Sequence, residues 1–278
     1  MRIEVEPGFS LNVERSGAGP AVVLLHGFTG SARAWSPFGE RLAERHTVLA
    51  VDIVGHGESD KPAALEHYGM ERAAGDIVAA VEKLGFARAM WLGYSMGGRL
   101  ALNLAVLHPE RVERLVLIGA SPGLAEAEER RARVASDEAL ARGIERDGVE
   151  RFIDYWESIP LFASQKSLPA ERRAGIRSAR LANTAVGLAS SLRGMGTGSQ
   201  AALHSRLKEL TMPALLLAGE LDAKYLAIGQ EMAAEMPESR FVAVPGAGHA
   251  AQTEQPEFCA NEVVAFLAGT KAKEGVTR

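Results

Sequence analysis

The sequence predicts a doubly wound α/β fold on three observations. Short apolar runs read as strands buried on both faces, longer helical patterns separate them, and in one long interval the alternation stops. The runs are AVVLL (21–25), TVLAV (47–51), AMWLG (89–93), RLVLIG (114–119), PALLLAG (213–219) and RFVAV (240–244). Parallel strands covered by helices on both sides have no polar face, which is why these runs do not alternate. Helical patterns fall near 71–84, 96–107, 224–235 and 254–268. Residues 2–5 and 10–15, joined through EPGF, predict an antiparallel hairpin at the sheet edge.

From Ser121 to about Ser205 no strand pattern occurs, only charged and alanine-rich segments with Leu, Ile and Val at helical spacing. This divides the chain into a core, 1–120 with 206–278, and a helical insertion, 121–205. The insertion leaves after one strand and returns before another, so it is expected over the strands' C-terminal edge, where open α/β sheets bind ligands. That makes it a cap over the site. The tail GTKAKEGVTR is expected to fray.

A chain of 278 residues can bury a sizeable core, and 47% hydrophobic with 24% charged residues is ordinary for a globular protein. The 31 basic and 35 acidic residues are intermixed and the net charge is −4, which leaves no large footprint for nucleic acid or anionic lipid. The single Cys259 excludes an internal disulfide and a thiolate metal cage, and reads as a small residue of the last helix. The N-terminus carries acids where a secretory signal needs an apolar stretch, and no run approaches a membrane span, which predicts a soluble cytoplasmic protein.

The chemistry centres on GYSMGGRL (93–100), which follows the strand ARAMWL. G-x-S-x-G arises by chance roughly 0.2 times in a chain of this composition, so context decides. Here a strand precedes and a helix follows, as a nucleophile elbow requires. The turn is so tight that glycine must flank the serine, and the helix N-terminus faces any anion that forms there. The alternative is a serine that merely caps the helix.

A serine hydroxyl needs a histidine to take its proton and a carboxylate to hold that imidazole. In this kind of fold the chain order is serine, acid, histidine. LLLAGELD puts Asp222 just past a strand and VAVPGAGHA puts His249 after the next, so both emerge at the ligand-binding edge with Ser95. Glu220 and Asp52 are rival acids; Asp52 is read instead as ordering the GHG turn of DIVGHG. The oxyanion donors are the backbone N–H of Met96, next to the serine, and that of Phe28 in HGFTGS. His26 is read as ordering that loop. No H-E-x-x-H, C-x-x-C or strand-linked G-x-G-x-x-G occurs, so neither a metal nor a nucleotide cofactor is expected.

With these residues in place the sequence resembles the α/β-hydrolase fold and, within it, the 2-succinyl-6-hydroxy-2,4-cyclohexadiene-1-carboxylate synthases of menaquinone biosynthesis. LLHGFTGS, GYSMGGRLAL, SPGLAEAEERRARVASD, FIDYWESIPLFASQ, IRSARLAN, SLRGMGTGSQ and GELDAKY carry the resemblance, and the cap segments are the specific ones. It implies a lyase that expels pyruvate from 5-enolpyruvoyl-6-hydroxy-2-succinyl-cyclohex-3-ene-1-carboxylate, with Ser95, His249 and Asp222 acting as a base. It also implies a tricarboxylate substrate held by Arg99, Arg133 and Arg177, with Tyr94 and Trp156 as pocket aromatics. Gln252 departs from the pattern, which commonly has a second histidine there. Two other functions share this machinery: a serine hydrolase acting on an ester or a carbon–carbon bond, and a non-catalytic small-molecule receptor. Oligomeric state has no signature in the sequence.

Overall fold

A computed structural model of the chain describes residues 1–36 and 38–269; the tail expected to fray lies, apart from Gly269, outside the described residues. Strands β1 (Arg2–Glu6) and β2 (Phe9–Ser16) form the antiparallel hairpin, and β2 runs antiparallel to β4 (Thr47–Val51). The parallel body contains β3 (Ala21–Leu25), β4, β5 (Ala89–Tyr94), β6 (Val112–Ile118), β7 (Ala214–Gly219) and β8 (Ser239–Val244). The eight strands lie in the order β1-β2-β4-β3-β5-β6-β7-β8, a mostly parallel doubly wound sheet.

Alternate residues of each buried strand feed two cores. Val23, Leu25, Leu115 and Leu117 face one cluster with α2 (Met70–Lys83), α3 (Met96–Leu107) and Met232 of α7 (Ala223–Glu235). Val22, Leu24, Val116 and Ile118 face the other, with α1 (Phe38–Ala43) and α9 (Pro256–Leu267), where Cys259 is fully buried. At about 1.5–3 kcal/mol per buried large aliphatic side chain, these two layers dominate the folding energy. The pattern near 254–268 forms one helix, α9, which starts two residues later than expected. A single turn, α8 (Ala251–Glu254), comes first, and α9 starts at Pro256, whose ring suits a first helical position and disfavours helix at Gln255. Helix α1 has no counterpart among the expected elements, being too short to show a period.

Between β6 and β7 the chain is helical: α4 (Ala127–Ser158), bent at Gly148, α5 (Ala170–Leu181) and α6 (Ala185–Met195). Ala141, Ile144, Phe152 and Ile153 of α4 pack on Leu188, Ala189 and Leu192 of α6 in a small core of their own. Helix α6 is set hard on the sheet domain. A Cβ on Gly187 would stand 1.9 Å from the Gly55 carbonyl oxygen, and one on Gly194 would stand 2.4 Å from the Tyr68 side chain. Only glycine permits that approach. Among the described residues, no helix is long and apolar enough to cross a membrane.

Candidate active site

Ser95 joins β5 to α3 with φ 51° and ψ −109°, a conformation rare for any residue with a side chain. The turn is locked from both sides. A Cβ on Gly93 would meet the Gly97 carbonyl oxygen at 2.2 Å, and one on Gly97 would meet the Leu25 carbonyl oxygen at 2.2 Å. The serine is thereby lifted off the sheet at the mouth of α3.

Asp222, at the end of β7, caps α7 by accepting from the Tyr225 N–H at 3.2 Å through one carboxylate oxygen. Its other oxygen accepts from His249 Nδ1 at 2.8 Å, and His249 Nε2 lies 2.9 Å from Ser95 Oγ. The carboxylate fixes the tautomer: Nδ1 carries the proton, so Nε2 accepts from the serine hydroxyl. His249 is 2% exposed, and the rings of Tyr225, Tyr94 and Phe162 stand 4.4, 5.5 and 6.2 Å from its own. Glu220 points elsewhere, accepting from the Gly246 N–H.

Across from the histidine lie the expected anion donors. The N–H groups of Phe28 and Met96 donate to no other group among the described residues. The loop that carries Phe28 is held from beneath. His26 Nδ1 donates to the Gly27 carbonyl at 2.8 Å while its Nε2 accepts from the Ile53 N–H at 3.0 Å. Burial lowers the His26 pKa, more than the bond to Gly27 and the charge of Asp52 raise it, so the ring stays neutral. Asp52 accepts from the N–H groups of Ala32 and Glu58 and from Asn12, tying this loop to the GHG turn. Burial acts to raise its pKa, but those bonds outweigh it and hold the carboxyl below its ordinary value.

The cationic groups occupy two sides. Arg99, one turn beyond Ser95, is buried and donates to Gln200 Oε1 and the Met195 carbonyl, each at 2.8 Å. Burial pulls its pKa down to about 10; Arg133 adds to that, while Tyr225 and Asp137 oppose it. Arg133 is bound to Asp137 at 2.8 Å. On the other side a cavity of about 590 Å³ lies between α5, the loop after β3 and the segment after His249; Gly27, Phe28, Tyr94, Phe162 and Arg180 are in its lining. Ser95 and His249 are not in that lining, but Tyr94 and Phe162, which are, neighbour the histidine ring. Burial raises the pKa of the Tyr94 phenol, so it stays protonated.

Arg177 is a correction. Its guanidinium grips Glu157 at 2.9 Å and Asp154 at 2.7 Å, and it is not in the lining of the cavity that Tyr94 lines. The inward arginine is Arg180. It is 8% exposed, lies 4.8 Å over the Phe162 ring and donates to Gln165 at 3.1 Å and to Glu157 at 3.2 Å. Both arginines occur in IRSAR; three residues apart on a helix they stand on adjoining faces, and the segment alone does not say which turns inward. Trp156 is partly buried, with the rings of Phe28, Phe152 and Phe162 at 5.4, 5.5 and 5.6 Å, and it is not in the lining of that cavity. Phe162 and Tyr225 were also unforeseen, although both lie in segments that carry the resemblance.

Comparison with known proteins gives the family of this fold. The model of the alpha/beta hydrolase fold family matches residues 20–256. A Bacillus subtilis (strain 168) protein, provisionally named 2-succinyl-6-hydroxy-2,4-cyclohexadiene-1-carboxylate synthase, is 45% identical over 96% of this chain and 98% of its own. The Klebsiella pneumoniae enzyme of that name (strain ATCC 700721 / MGH 78578) is 32% identical over 85% of this chain and 89% of its own. Among solved structures, MenH from S. aureus superposes with a TM-score of 0.88 at 30% identity, covering 93% of this chain and 98% of that one. A thermophilic esterase from Thermogutta terrifontis, solved with malate bound, gives 0.85 at 28% identity, with 97% and 98% covered. The chain belongs to the α/β-hydrolase fold family and, within it, to the 2-succinyl-6-hydroxy-2,4-cyclohexadiene-1-carboxylate synthases.

Proposed function

We propose that this chain eliminates pyruvate from 5-enolpyruvoyl-6-hydroxy-2-succinyl-cyclohex-3-ene-1-carboxylate, with Ser95, His249 and Asp222 as its proton-transfer relay. His249 Nε2 takes the hydroxyl proton of Ser95, and the serine oxygen removes the ring C2 proton beside the succinyl ketone. The electron pair moves onto the ketone oxygen as an enolate, which the N–H groups of Phe28 and Met96 hold. It then returns through the ring: a C2–C3 double bond forms, the C3–C4 double bond shifts to C4–C5, and the C5–O bond breaks. The leaving enolpyruvate recovers the proton from His249 through Ser95 and tautomerises to pyruvate.

The observation that carries this reading over hydrolysis of a neutral ester is the placing of Arg99 and Arg180. Each is buried; Arg99 lies one turn beyond Ser95 on α3, and Arg180 lies over Phe162, whose ring neighbours that of His249. A buried guanidinium is costly unless it meets an anion or a full set of acceptors. Arg99 has only neutral direct partners, so a substrate carboxylate supplies the missing charge. Arg180 takes the role that the resemblance implied for Arg177.

The test is pyruvate release from the enolpyruvyl substrate. The unaltered protein turns over and Ser95→Ala does not, while still binding the substrate. Accumulation of an acyl-enzyme from an activated ester, with no pyruvate released, would instead make Ser95 a nucleophile and the chain a hydrolase.

A further inference from the structure

A second cavity, of about 330 Å³, lies between α5 and the segment 157–166, with the exposed Lys166, Arg173 and Ala174 in its lining. Its charged lining is one-sided: Lys166, Arg173, Arg177 and Arg180 against the single carboxylate of Glu157. Arg177 is paired with Asp154 and Glu157, and Arg180 with Glu157, whereas Lys166 and Arg173 form no ion pair among the described residues. This concentration stands out on a chain whose net charge is −4. The two cavities have Phe162, Gln165, Ile176 and Arg180 in common, so the same four side chains wall both.

We propose that the second cavity is a vestibule that captures polycarboxylate ligands and passes them to the first cavity across Arg180; this deepens the function proposed above and rests on it. The two unpaired cations attract the anion at long range, where a low-dielectric wall focuses their field. A carboxylate arriving at Arg180 replaces Gln165 and Glu157 as its acceptor, and the guanidinium swings with it towards Tyr94. Since Arg180 is held on the Phe162 face and by two acceptors at 3.1 and 3.2 Å, it stays a poised cation until a ligand competes for it. Neutral or singly charged ligands lack the second carboxylate that would remain on Lys166 and Arg173 during this transfer.

The experiment reverses the unpaired charges in the full-length protein, Lys166→Glu with Arg173→Glu, and follows pyruvate release across ionic strength. At about 20 mM salt kcat/KM falls on the order of tenfold with kcat unchanged, and at about 0.5 M the difference shrinks below about twofold. A control with the same charge change on remote, exposed positions, Arg41→Glu with Arg206→Glu, alters kcat/KM by less than about twofold. Citrate binding by calorimetry is read in parallel, because it needs no turnover. An equal loss in the control, a loss that persists at high salt, or citrate affinity unchanged at low salt overturns the vestibule. If the unaltered protein releases no pyruvate, the proposed reaction fails, and the vestibule stands or falls on citrate alone.

Discussion

Replacing Gly97 with alanine tests whether the turn's tightness is what aims the anion donors. The new Cβ would stand 2.2 Å from the Leu25 carbonyl oxygen and 2.5 Å from that of His26, where ordinary contact begins at 3.4 Å. About 1 Å of displacement must be absorbed, and little nearby can yield. Leu25 is paired in register with Gly93 on β5, and Gly97 is wound into α3, so the shift passes into the His26–Phe28 loop. A donor moved that far from a developing oxyanion loses most of its effect. We expect kcat to fall about 10²- to 10³-fold and stability to fall by about 1–3 kcal/mol. Urea unfolding and steady-state pyruvate release read the two effects. Gly75→Ala is the counterpart: it lies within α2 with nothing inside 4 Å of the added atom, so stability should rise by about 0.5–1 kcal/mol without change in kcat. Full activity with undiminished stability in Gly97→Ala would refute the reasoning.

Asp222→Asn keeps an oxygen to cap α7 but frees the imidazole to take the wrong tautomer, so kcat drops about 10³- to 10⁴-fold with an unchanged circular dichroism spectrum; a loss below tenfold would remove the acid from the relay. Arg180→Ala lowers kcat/KM about 30- to 100-fold, as loss of a two-point carboxylate contact does, and Arg177→Ala lowers it less than about fivefold; the reverse ranking would restore Arg177 to the site. Burial lowers the His56 pKa to about 3, from an ordinary value near 6.5. Between those values the unfolded chain binds a proton that the folded chain refuses. Stability therefore falls as pH drops from about 6.5, by up to about 1.4 kcal/mol per pH unit for this ring, and levels off below about 3. Urea midpoints from pH 7 to 4 should decline less steeply in His56→Gln, and an identical slope would mean that the folded protein protonates the ring.

Most of the sheet was legible because strands buried on both faces leave uninterrupted apolar runs, and the order serine, acid, histidine follows from the loops at one sheet edge. Ser95, Asp222 and His249 could each be found by sequence because their positions relative to strand ends are fixed by topology. The cap arginines could not be sorted in that way. Arg177 and Arg180 differ only in which way a helix face turns, and that depends on how α5 lies against Phe162 and Glu157, which no local pattern encodes. Trp156 and Phe152 are one helical turn apart on α4, a spacing visible in the sequence, whereas the contact of Trp156 with Phe28 joins segments far apart in the chain and has no local pattern. The later start of α9 was present in the sequence as Pro256, which disfavours helix at the residue before it.

The glycine-to-glycine contact between α6 and the loop after β4 decides where this roof can be rebuilt. Gly187 against Gly55, and Gly194 against Tyr68, leave no space for even a methyl group, so that half of the lid is riveted to its base. Among the described residues helix α5 has no comparable bolt; its ties include Arg172 to the Thr253 carbonyl and, just beyond its end, Asn183 to that of Thr29. Chimeras exchanging lids among relatives should therefore move Gly55, Tyr68, Gly187 and Gly194 as one graft, and concentrate diversity on α5, where a new ligand preference can arise without unseating the scaffold.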